Sequence, residues 1–147
     1  MKKALLILGM CLTVFTAMAQ DTEKLLKDYL QVKEALVESD MKAAAAAIQT
    51  FSETLNADAD LQKGSLKKAS DKLAKAGNLE QQRAAFADVS IAIWELVQQS
   101  NDLSADVYYQ YCPMKKAYWL STESAIRNPY YGAKMLACGS VKDKKLK

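Results

Sequence analysis

Two short segments near the C-terminal end of this chain carry the side chains best suited to chemistry. Cys112-Pro113-Met114 and Met135-Leu136-Ala137-Cys138-Gly139 each place a thiol and a thioether within a few residues of one another. Two thiolates and two thioethers make a soft donor set, fit for Cu(I) or Ag(I) and poorly matched to magnesium or calcium. If residues 133–138 are helical, the three-residue spacing sets Met135 and Cys138 on one face. Three readings of the cysteines stay open on spacing alone. They form a metal site, or they form a disulfide, or they are two separate buried thiols. A disulfide would close a 27-residue segment, worth roughly 3 to 4 kcal/mol in the chain-entropy model. In the last two readings Met114 and Met135 are gap-filling core residues. Nearby, Arg127 is a candidate clamp for a carboxylate, either a ligand's or one of the protein's own such as Glu123, and the internal partner is the expectation.

The rest of the chain excludes much. It contains no histidine, which removes Ser-His-Asp and Cys-His nucleophile arrangements, histidine bases and the commonest zinc sets. The phosphate-cradling and nucleophile-elbow patterns GxGxxG, GxxxxGK[ST] and GxSxG are absent as well. The 17 acidic residues are interleaved with lysine, as on a solvated helical surface. No enzyme is expected. No strip of Lys and Arg alternating with aromatics marks a nucleic-acid partner.

The N-terminus reads as an export signal. Met1-Lys2-Lys3 gives a positive start, residues 4–15 are apolar, and Ala17-Met18-Ala19 offers small residues to a signal peptidase. A bilayer span needs roughly 18 to 20 apolar residues, and this run stops at Gln20-Asp21. The expectation is cleavage after Ala19, no membrane anchor afterwards, and a periplasmic or secreted chain. Cys11 leaves with the leader, and Gly9-Met10 before it does not resemble a lipidation site. The remaining 20–147 carries 18 basic against 17 acidic residues and suits one domain.

Within that domain the elements that must position the sulphur atoms follow from periodicity. Residues 22–100 hold no proline and only Gly64 and Gly77 among good helix formers. Leu26, Leu30 and Val37 form one apolar row, with Leu25, Tyr29, Val32 and Leu36 beside it. Ala44, Ile48, Phe51 and Leu55 repeat the spacing. A single helix over both sets would outrun a compact domain, so a break is expected at Ser39-Asp40, with Asp40 capping the second helix. Leu66, Ala69, Leu73 and Ala76 predict a third helix near 62–76. Asn78 and Gln81 form a capping-box pattern opening a fourth, with Phe86, Val89, Ile93 and Leu96 on its stripe. Trp94 reads as core.

From Asn101 the composition changes. Val107, Tyr109 and Tyr111 alternate as in a half-buried strand, and Tyr118-Trp119-Leu120 reads as its partner. The aromatic cluster is expected to pack against the helices rather than to bind a ligand. Arg127-Asn128-Pro129 is turn chemistry, and Lys142 to Lys147 reads as a frayed, solvated tail. The fold class expected is mainly α: an up-and-down bundle of three to four helices over about 22–100, with a small aromatic-rich α+β C-terminal cap over 107–141.

Four runs in the cap carry a resemblance. Tyr109 to Met114, Ala117 to Ser121, Ile126 to Gly132 and Met135 to Gly139, with Gln82-Arg83, Phe86 and Ser90, resemble a bacterial family named domain of unknown function 3347. The resemblance runs over roughly Thr22 to Asp143. It implies exported proteins of Bacteroidetes-type bacteria, or a domain joined to periplasmic adaptor subunits of heavy-metal efflux pumps of the CusB and HlyD kind. Such company favours metal handling at Cys112, Met114, Met135 and Cys138, with an efflux adaptor or another envelope protein as partner. The Cys-Pro-Met element also looks like that of small heavy-metal-binding modules, which usually have histidine nearby; this chain has none and lacks the adaptor portion.

Overall fold

The computed structural model describes residues 16–147 apart from 63 and 102. The expected leader, 1–15, lies outside the described residues, and the expected cut after Ala19 falls in the first turn of the first helix. Among the described residues there are four α-helices: α1 (Thr16–Val37), α2 (Met41–Ala57), α3 (Ser65–Ala74) and α4 (Leu79–Gln99). Each packs on its sequence neighbour, and α4 closes back onto α1. None is long and apolar enough to cross a membrane.

The break between α1 and α2 is a Schellman turn. The Asp40 amide reaches back to the Ala35 carbonyl at 3.0 Å and the Ser39 amide to Leu36 at 3.2 Å, with Ser39 at φ 59° where glycine is usual. Asp40 then caps α2, its Oδ1 accepting from the Lys42 and Ala43 amides at 3.0 and 2.9 Å. Asn78 Oδ1 caps α4 through the Gln81 amide, and Gln81 Oε1 returns to the Gly77 amide, both at 2.9 Å. The third helix is shorter than 62–76. Gly64 at φ 99° stands at its N-cap without a side-chain cap, which delays the start to Ser65.

Most of the predicted core rows are the observed ones, but Ala76 lies beyond the end of α3 and Leu96 is only partly buried. Leu25, Tyr29, Val32 and Leu36 meet Ala44, Ile48, Phe51, Leu55, Leu66, Leu73, Phe86, Val89 and Ile93 in one buried cluster. Leu30 is only partly buried: it faces outward into an open groove between α1 and α2.

The cap is a three-stranded antiparallel sheet in the order β2-β1-β3: β1 (Val107–Cys112), β2 (Ala117–Ser121) and β3 (Ser140–Lys145). Two expectations need correction here. The segment Lys142 to Lys147 is not a frayed tail, because β3 pairs with β1 from Val107↔Lys145 to Tyr111↔Ser140, and the cap therefore runs past 141. Its alternating lysines had read as solvation. They are instead the outward side chains of an edge strand, where lysine discourages further pairing. Val107, Tyr109 and Tyr111 are also not the buried set: Val107, Gln110 and Cys112 are fully buried while Tyr109 and Tyr111 are half-buried, and the register shift opposite Tyr109 and Gln110 leaves Lys142 of β3 as the extra residue.

Tyr29 joins bundle to cap. Its hydroxyl accepts the Leu120 amide at 3.0 Å and lies 2.7 Å from Ser90 Oγ, while its ring stacks on Phe86 at 4.8 Å. A second ring series starts from buried Trp94 and runs outward through half-buried tyrosines: Trp94 stacks on Tyr109 at 4.7 Å, Tyr109 on Tyr118 at 4.5 Å, and Tyr118 meets Tyr111 tilted at 4.6 Å.

Candidate functional site

The unbroken β1–β2 pairing sets Cys112 on the same face as buried Gln110 two residues before it. It is the last residue of β1, opposite Ala117, and fully buried. Cys138 arrives from the other side of the chain reversal, two residues before β3 begins, and is half-buried. Both are free thiols, not joined by a disulfide. They flank the same end of the β1–β3 pairing, which stops at Tyr111↔Ser140, and the Cys138 thiol is pushed above its ordinary value, first by desolvation and then by nearby Cys112. The structure thus places the two predicted thiols at the same end of the β1–β3 pairing.

The thioethers are placed differently. Met114 lies in the turn between β1 and β2 and is 62% exposed. Met135 ends a short 3-10 turn, Gly132–Met135, and is half-buried. The expected helix over 133–138 therefore stops at Met135, and Cys138 follows as a turn, its amide donating to the Met135 carbonyl at 3.0 Å. Among the described residues no three or more His, Cys, Asp or Glu side chains come together as a metal-holding group. A metal on the two thiols would draw any further protein donors from the methionines. The donor chemistry that remains, thiolate and thioether, is soft.

Arg127 does clamp carboxylates of the protein itself, though not Glu123. Its Nη1 meets Glu34 Oε2 at 2.8 Å and its Nη2 meets Glu38 Oε1 at 2.9 Å, two acids one turn apart on α1. Glu123 instead offers its backbone carbonyl to Gln110 Nε2 at 3.0 Å. Sequence distance misled here, since the loop carrying Arg127 folds over α1.

Residues assigned no role at the thiols from sequence surround the Cys138 segment. Asn128 is fully buried and its Nδ2 donates to the Cys138 carbonyl at 2.7 Å. Arg83 ties the Asn128 loop to the bundle, donating to the Pro129 carbonyl at 2.7 Å and to Leu36 and Ser39 Oγ at 2.9 Å. Gly139, at φ 156°, leaves no room for a side chain: a Cβ would stand 2.7 Å from Trp119 Cη2 and 2.9 Å from the Tyr111 carbonyl. The hint at Asn128 was its place before proline in a turn, which reads as local backbone chemistry and says nothing of a carbonyl ten residues on.

Away from the thiols, α1 and α2 frame an open groove of about 840 Å3, floored by Leu26, Leu30, Ala43, Ala46 and Ala47 and edged by Glu23 and Glu38. The alanine run supplies its smooth wall. No curated protein and no solved structure matches the chain. A sequence model of the family described as protein of unknown function (DUF3347) matches residues 25–105, the four helices and the approach to β1. That match ends before the thiols and carries no statement about them, but it spans more than half of the sequence, and the chain belongs to this family.

Proposed function

We propose that this protein is a non-enzymatic, periplasmic metal-handling accessory that holds Cu(I), or Ag(I), between the thiolates of Cys112 and Cys138, with thioether assistance from Met114 and Met135. The observation that supports the reading is that Cys112 and Cys138, from opposite ends of a 27-residue segment, flank the same end of the β1–β3 pairing, which stops at Tyr111↔Ser140. Two such soft donors suit a soft monovalent ion. Each must lose its proton to bind, so metal uptake releases protons. Met114 is exposed in the turn that follows Cys112, and Met135 is half-buried three residues before Cys138, so both are near in sequence to the proposed thiolates. A heavy-metal efflux adaptor is the partner this role implies.

The test is an anaerobic competition titration under reducing conditions against a Cu(I) chelator. The expected result is one ion per chain, with most of the affinity lost in Cys112→Ser or Cys138→Ser and less lost in Met114→Leu or Met135→Leu. Equal competition by the wild type and the double cysteine variant sinks the proposal.

A second reading has its own support. The placement of both cysteines at one end of the β1–β3 pairing suits a Cys112-Cys138 disulfide in an oxidising compartment, and the open α1–α2 groove suits the apolar face of a partner. The chain would then be a structural or protein-interaction module of the cell envelope that takes no metal. Intact mass of exported protein separates the two, since a disulfide lowers it by about 2 Da.

A further inference from the structure

We infer that Asn128 is the positioning residue of the thiol pair: its side-chain amide fixes the backbone of Cys138 so that the Cys138 thiol faces that of Cys112. The inference deepens the reading above, because the pairing it concerns is that of the proposed ligands. Cys112 needs no such help, being held in the β1–β2 ladder opposite Ala117. Cys138 lies outside the ladder, which begins at Ser140, and is followed by Gly139 in a conformation that only glycine readily takes. Nothing in the sheet fixes its direction.

Asn128 supplies what is missing. Its Nδ2 donates to the Cys138 carbonyl at 2.7 Å, and its Oδ1 accepts from the Tyr130 amide at 2.8 Å, which fixes the orientation of the side-chain amide. Its own backbone donates to the Leu136 carbonyl at 2.9 Å and accepts from the Gly132 amide at 3.0 Å. One fully buried residue therefore makes four hydrogen bonds, two of them to the 136–138 turn. The next residue, Pro129, is held by Arg83 of α4 at 2.7 Å. The direction of Cys138 is thereby referred to the helical bundle. A buried polar side chain satisfied in this way specifies one arrangement rather than merely filling space.

The experiment needs no metal. Reduced protein is equilibrated with glutathione disulfide: the Cys112 and Cys138 thiols each give up a proton, a sulphur–sulphur bond forms between them, and the oxidant is reduced to two glutathione thiols. The equilibrium constant reports how well the fold presents one thiol to the other. Asn128→Asp keeps the shape and the Tyr130 contact but replaces the donor to Cys138 with an acceptor. It is expected to lower the constant by about tenfold or more, while a remote core change, Ile48→Val, leaves it within about twofold. A shift no larger than that of Ile48→Val overturns the inference, as does failure of the wild type to form the disulfide at all. Should Asn128→Asp not fold, the wild type still decides by nuclear magnetic resonance. The Asn128 side-chain amide protons should exchange slowly in both dithiol and disulfide forms, and rapid exchange in either overturns the role. If the thiols pair with glutathione but the chain takes no Cu(I), the copper reading fails and the role of Asn128 stands.

Discussion

At the scale of single residues, the cap depends on a few close fits and on the protonation of one thiol. Gly139 is the tightest: alanine there brings both an unfavourable φ and a Cβ at 2.7 Å from the Trp119 ring, an overpacking that costs about 1–3 kcal/mol. Gly139→Ala should lower the unfolding midpoint in a denaturant titration, and wild-type stability would contradict the packing. Cys138 makes a pH prediction. Because its thiol is held above the ordinary value by burial and by Cys112, it stays protonated at neutral pH and must release that proton to bind Cu(I). Affinity should rise as pH rises toward that elevated value, by up to about tenfold per unit for each proton released, and a flat profile from pH 6 to 9 contradicts thiolate ligation. Type and spacing pointed to the four sulphur residues as a proposed site. They did not point to Asn128, because a lone asparagine before proline reads as turn chemistry, and its long reach to Cys138 exists only once the cap has closed.

The elements show where periodicity suffices and where it does not. All four helices were readable because their apolar rows recur at helical spacing and Asp40 and Asn78 stand as caps. The strand β3 was hidden because an edge strand with lysines outward has the composition of a disordered tail. Its attachment is nonetheless specific: Asp106 accepts from Lys144 Nζ at 2.8 Å and from the Lys147 amide at 3.2 Å. The hydrogen bond from Lys144 is the first cause holding the Asp106 carboxyl below the usual range, ahead of that from Lys147. A depressed carboxyl contributes above its unfolded value, near about 4, and is lost as pH falls through the folded one. Asp106→Asn should therefore speed amide exchange in β3 at pH 7 while leaving α4 protected, and unchanged β3 exchange would refute the attachment. Between the layers, Tyr29 is the pin. Tyr29→Phe strands the buried Leu120 amide, at a cost of about 1–3 kcal/mol, measurable as a lower midpoint of unfolding.

For the whole molecule, a bundle with an aromatic cap should be sensitive to alkali. Burial is the first cause raising the hydroxyls of Tyr29 and Tyr130 well above their ordinary value and that of Tyr109 to about 12. Tyrosines in the unfolded chain ionise near about 10, so the fold keeps protons that the unfolded state gives up. The stabilisation is complete below about pH 10 and declines as pH rises through the folded values. Unfolding midpoints should be level from pH 7 to 9 and then drop with a rise in tyrosinate absorbance. Midpoints that hold above pH 11 contradict the burial of these rings. The bundle, which carries the family match, serves in this account as the platform, and the cap carries the chemistry. The most direct test of that division is X-ray absorption at the copper edge on anaerobically prepared protein with one equivalent of Cu(I). The account predicts a first shell of sulphur alone that is lost in Cys112→Ser; a shell of nitrogen or oxygen in the wild type would contradict it.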